Sequence, residues 1–121
     1  MRHYKFFVAL AAALMLSGCH SANIAATISN HTNAPLSLVE VDYPSASFGT
    51  QTLAPGQDFY YRFKVLGSGA TTLLWTDAAH QDHMNAGPHL GEGDEGSLAI
   101  TFNAGADPSW ELQLTNRAPG H

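Results

Sequence analysis

Six side chains that bind protons or metals fall within thirteen positions: Asp77, His80, Asp82, His83, Met84 and His89. Imidazole ligates Zn²⁺, Cu²⁺ and Ni²⁺, and a thioether adds a soft ligand for Cu⁺. The set therefore offers a metal site on His80, His83 and His89, with Asp82 or Met84 beside them, and zinc or copper would be its cofactor. Residues three apart on an extended strand point to opposite faces. His80 and His83 thus converge only if the segment curls as a hairpin loop. The same residues also read as a hydrated hairpin, with no cofactor, whose histidines serve as polar turn residues.

Other reactive groupings are weaker. A nucleophile elbow places Ser in Gly-x-Ser-x-Gly on a strand-to-helix turn, whereas Gly67-Ser68-Gly69 reads as a tight hairpin. Glu40 and Asp42 lie two apart and share a strand face, where like charges raise a carboxyl pKa. On an exposed strand both stay in water. Glu92-Gly93-Asp94-Glu95-Gly96 lacks the spaced oxygen ligands of a calcium loop and reads as a solvated, charged turn. Tyr60, Arg62 and Lys64 give one strand face an aromatic and basic character. No catalytic set emerges, and the expectation is a non-enzymatic protein.

Cys19 is the sole cysteine, so no disulfide forms within the chain. It follows Arg2 and Lys5, an apolar run from Phe6 to Leu16, and then Leu16-Ser17-Gly18. Eleven residues are too few to span a bilayer, which takes roughly 20 in a helix. This order resembles a bacterial lipoprotein signal. The resemblance implies cleavage before Cys19, acylation of its thiol, and attachment to the cell envelope. It divides the chain into a signal peptide (1–18), a lipidated tether (19–23), a folded domain (24–116) and a frayed tail (117–121). His20 follows the cysteine where Asp would signal inner-membrane retention, so the resemblance points to the periplasmic face of an outer membrane in a two-membrane host.

From Cys19 onward, three strong bases (Arg62, Lys64 and Arg117) face ten carboxylates, a net charge of −7 with histidines neutral. Such a surface repels phosphate backbones. Nucleic acid is excluded as a partner; the membrane, through the anchor, and an envelope protein are the expected ones.

The elements that must position these groups are strands. Phe59, Tyr61, Phe63 and Val65 alternate with Tyr60, Arg62 and Lys64, the period of a half-buried strand. Ile24-Ala26-Ile28, Leu98-Ile100-Phe102 and Trp110-Leu112-Leu114 repeat it, Leu73 and Trp75 mark another strand, and Phe48 to Leu53 is a weaker one. Leu36 and Leu38 are out of phase with Val39, Val41 and Tyr43, which predicts a bulge near Leu38. Ala54-Pro55-Gly56 has the order of a type II turn. Val39 to Pro44, Phe48-Gly49, Leu53-Ala54-Pro55-Gly56 and Thr76-Asp77 with His83 resemble small bacterial exported domains of immunoglobulin type. The expected fold is an all-β, antiparallel, immunoglobulin-like sandwich of about seven strands. Its expected role is a membrane-anchored accessory or interaction module, with an envelope metal-binding protein as the alternative.

Overall fold

The structure, a computed structural model, describes residues 21–115. Cys19, His20 and the tail from Arg117 lie outside the described residues. Eight strands make up the described chain: β1 (Ile24–His31), β2 (Leu36–Tyr43), β3 (Ala46–Leu53), β4 (Asp58–Phe63), β5 (Gly69–Thr76), β6 (Asp82–Leu90), β7 (Gly96–Asn103) and β8 (Ser109–Leu114). They form two four-stranded sheets, β4-β1-β7-β8 and β3-β2-β5-β6, packed as a β-sandwich. Five ladders are antiparallel and one, β1 with β7, is parallel.

The eighth strand is β6, which sequence periodicity does not reveal. Only Leu90 of its nine residues is buried, because β6 lies at a sheet edge and packs little apolar surface. Pro88 within it is tolerated for the same reason: an edge strand does not need every N–H for a ladder. Gly67-Ser68-Gly69 is not a hairpin either. The strands it joins, β4 and β5, belong to different sheets, so this segment crosses the sandwich.

The anticipated bulge is present. Leu38 has φ of 50°, the β2–β5 register shifts between Ser37 and Glu40, and the Leu38 side chain is 61% exposed. The break rotates Leu38 outward and returns Val39 and Val41 to the core. Ala54-Pro55-Gly56 makes the expected turn, with Gly56 at φ of 79° and the Gln57 N–H donating to the Ala54 carbonyl (3.0 Å).

Between the sheets lie Ile24, Ile28, Val39, Val41, Leu53, Leu73, Leu98 and Ile100, all essentially without solvent exposure. Two polar side chains share that interior: Thr71, 1% exposed, whose hydroxyl donates to the Pro88 carbonyl (2.7 Å), and Asn30. Asn30 is 0% exposed and continues the inward parity of Ile24, Ala26 and Ile28. Its amide donates to the carbonyls of Ala34 and Leu53, each at 2.9 Å, and its oxygen accepts from the Thr32 N–H and hydroxyl. The expected result of Asn30→Ala is a loss of about 2–4 kcal/mol, since Leu53 and Thr32 lose buried partners. A lowered urea midpoint with unchanged slope would record it.

Candidate functional site

β1 runs from the end of the sandwich where the chain arrives at Ser21 to the opposite end. Its eight residues extend roughly 25 Å. Three loops meet at the far end: residues 32–35 between β1 and β2, 77–81 between β5 and β6, and 104–108 between β7 and β8. They enclose an open cleft of about 690 Å³. Trp75 and Phe102 supply its aromatic surface, Asp77 and His83 one wall, and Asp107 part of the rim.

The wall is built by the β5–β6 hairpin. The Asp77 N–H donates to the Gln81 carbonyl, the His80 N–H donates to the Asp77 carbonyl, and His80 takes φ of 61°. This is a three-residue hairpin loop that closes with a left-handed residue, a position where glycine is usual. Asp77 organises it: Oδ1 accepts from the N–H groups of Ala79 (2.9 Å) and Gln81 (3.0 Å). Oδ2 accepts from His83 Nε2 at 2.7 Å. The hydrogen bond with His83, followed by that from Gln81, holds the Asp77 carboxyl below the usual carboxylate range. His83 stacks on Trp75 with ring centroids 5.0 Å apart and planes 12° apart, and Phe102 meets the same indole edge-on at 5.1 Å.

The histidines proposed from sequence occupy three different settings. His80 lies in the turn, His83 lies opposite Trp75 on β6, and His89 pairs with Ala70 near the other end of that strand. Asp82 follows strand alternation away from His83 and accepts from the Thr76 hydroxyl (2.8 Å). Met84 lies opposite Leu74 and is 71% exposed. Among the described residues no three His, Cys, Asp or Glu side chains converge in a group able to hold a metal ion. The segment does not curl as one loop, because from Asp82 onward it is a strand.

The other sequence candidates are also placed. Glu40 and Asp42 share one face of β2, and the hydrogen bond that the protonated Glu40 carboxyl gives to Asp42, then the Asp42 charge, pushes the Glu40 carboxyl above its ordinary value. The acidic run is not wholly solvated: Asp94 is buried and its Oδ2 accepts from the Gly91 N–H (2.7 Å). Thr32, which sequence reading passes over, lines the cleft, and its hydroxyl is engaged by Asn30 and the Ala34 carbonyl.

No family model matches the chain, and no curated protein sequence does. Among solved structures it is similar to a protein from Eubacterium rectale determined by NMR, at 10% identity and a TM-score of 0.54, covering 78% of this chain and 91% of that one. At that identity the likeness shows the fold alone.

Two outcomes are expected. His80→Gly relieves the left-handed backbone and stabilises the fold by roughly 0.5–1 kcal/mol, read as a raised urea midpoint. Asp77 has a lower pKa folded than unfolded, so its contribution is complete above the unfolded value of about 3.9 and is lost as pH falls through the folded value. Unfolding curves between pH 2 and 6 should show a steeper acid-side decline for the wild type than for Asp77→Asn.

Proposed function

We propose that this protein is a lipid-anchored envelope module that binds a partner in the cleft at the end of the sandwich remote from its anchor. The observation that carries this reading is the opposition of the two ends. The chain reaches β1 from Cys19 at one end, and the cleft opens where β1 stops, roughly 25 Å away. A bilayer attachment at Cys19 leaves the cleft turned toward an envelope partner. His20 in the position after Cys19 favours the periplasmic face of an outer membrane.

The cleft lining favours recognition over catalysis. His83 is committed to Asp77 and Trp75. No serine or cysteine is among the cleft-lining residues described, and the Thr32 hydroxyl is held by Asn30. An imidazole–carboxylate pair activates a nucleophile only within hydrogen-bond reach of one. Among the described residues the lining also contains no lysine or arginine, while Asp77 and Asp107 bring carboxylates to Trp75 and Phe102. An uncharged or cationic group on the partner suits this surface; an anionic one does not.

Fractionation and mass spectrometry test the anchor. Wild type should be membrane-bound with acyl mass on Cys19, and Cys19→Ser should be soluble. Ala106→Trp tests the cleft by filling it from an exposed rim position, with stability changed by less than about 0.5 kcal/mol. Recovery of a reproducible partner from detergent-solubilised membranes should fall at least about tenfold, which corresponds to roughly 1.4 kcal/mol of binding. Equal recovery would remove the cleft as the binding site.

A further inference from the structure

We propose that the end of the sandwich nearest Cys19 rests on a zwitterionic lipid surface, with Leu66 as its apolar contact. The inference deepens the anchoring reading above and depends on acylation of Cys19. Only two residue steps separate Cys19 from Ser21, at most about 7 Å of chain. An acyl-bearing Cys19 therefore holds this end of the domain within a few ångströms of the headgroups, whatever path those residues take.

The surface brought to that position is built by neighbouring segments. The Asn23 carbonyl accepts from the Gly96 N–H (3.2 Å), and the Val65 carbonyl accepts from the Gly93 N–H (3.1 Å). Gly67 N–H donates to Glu92 (2.9 Å), Glu92 N–H to Ser68 Oγ (2.9 Å), and Leu66 N–H to Ser45 Oγ (3.3 Å). These bonds brace the β4–β5 crossover and present Leu66, 56% exposed, beyond the buried Val65. An apolar side chain held outward by its own backbone partners is positioned for contact with another apolar phase.

Charge at this end indicates which lipid it meets. Arg62 and Lys64 are the strong bases among the described residues. Arg62 pairs with Ala25, next to the start of β1, and Lys64 directly follows β4. Glu92 and Glu95 lie on the adjoining β6–β7 crossover. Arg62, Lys64 and Glu92 are exposed, so both signs are presented together, which complements paired phosphate and ammonium groups and gains little from a net anionic layer. One leucine does not hold a protein on a bilayer. Once Cys19 is inserted, however, the contact is intramolecular and has only to select an orientation.

Spin-label depth measurement on the full-length acylated protein in phosphatidylcholine–phosphatidylethanolamine vesicles tests this. Acylation consumes the native thiol, so Leu66→Cys carries the label alone; Ala104→Cys, on the exposed cleft rim, is the control. The label at position 66 should be several-fold more accessible to oxygen than to a water-soluble nickel chelate, relative to position 104. Equal ratios at the two positions, with acyl mass confirmed on Cys19, would overturn this contact and leave the anchor standing. An unmodified Cys19 would overturn both. Adding anionic lipid should leave the ratio unchanged or lower it, and a rise would overturn the zwitterionic assignment.

Discussion

The Asn30 carboxamide sits where β1 leaves one sheet and the chain crosses to the other, and the cleft end is organised around it. Both of its N–H donors and both acceptor directions of its oxygen are used, by Ala34, Leu53 and Thr32. Its backbone is tied as fully: the N–H donates to Gln57 (3.0 Å) and the carbonyl accepts from Gly56 (2.7 Å). One residue therefore joins the β1–β2 loop, the last residue of β3 and the turn into β4. With no second cysteine, this join between sheets is non-covalent. A buried amide in low dielectric is costly in any arrangement that leaves it unpaired, so Ala34, Leu53 and Thr32 are held in a single geometry around it. The β1–β2 loop forms part of the cleft wall, and the wall inherits that rigidity.

Much of this architecture was legible in alternation alone. Ile24-Ala26-Ile28 and Leu98-Ile100-Phe102 each fill an inner face as their period of two requires, and the phase break at Leu38 marks a real bulge. Periodicity reports which face is buried, not which strand lies alongside. The parallel pairing of β1 with β7 joins segments about seventy residues apart, and nothing local encodes it. β6 was hidden because an edge strand with Gly87 and Pro88 need not alternate. Asn30 could have been found: it stands at the next inward position after Ile28, and a polar residue in that register calls for partners. The histidines lie close in sequence, but spacing alone does not say whether the segment curls to bring them together. Strand geometry sends His83 toward Trp75 and leaves His89 seven Cα steps from Asp82.

The placement of the cleft at an end follows from how the long sides are sealed. Along one side, ring contacts join Tyr43 to Phe63 (4.4 Å), Phe48 to Tyr61 (4.6 Å) and Phe48 to Phe63 (5.2 Å), closing β2 and β3 against β4. Along the other, Trp110 of β8 lies over β6, and its Nε1–H donates to Asn85 (2.6 Å). That approach requires glycine at position 87, since a Cβ there would fall 2.4 Å from the Trp110 ring and from Thr71 Oγ1. The Thr71 hydroxyl is itself bound to the Pro88 carbonyl (2.7 Å), so the edge strand is fastened where the indole covers it. Exposed sheet edges invite strand addition, and these aromatic seals fill the space between the sheets on both flanks. Among the described residues, the roomiest concavity, about 690 Å³, is then at an end, with shallower ones of about 340 and 320 Å³ along β2–β3 and β1–β4. At the end nearest β1's first residue, the crossovers after β4 and β6 bond to each other through Val65, Gly93, Gly67 and Glu92. At the other end, His83 stacks on Trp75, Phe102 meets the same indole edge-on, and the cleft forms between these rings and the loops.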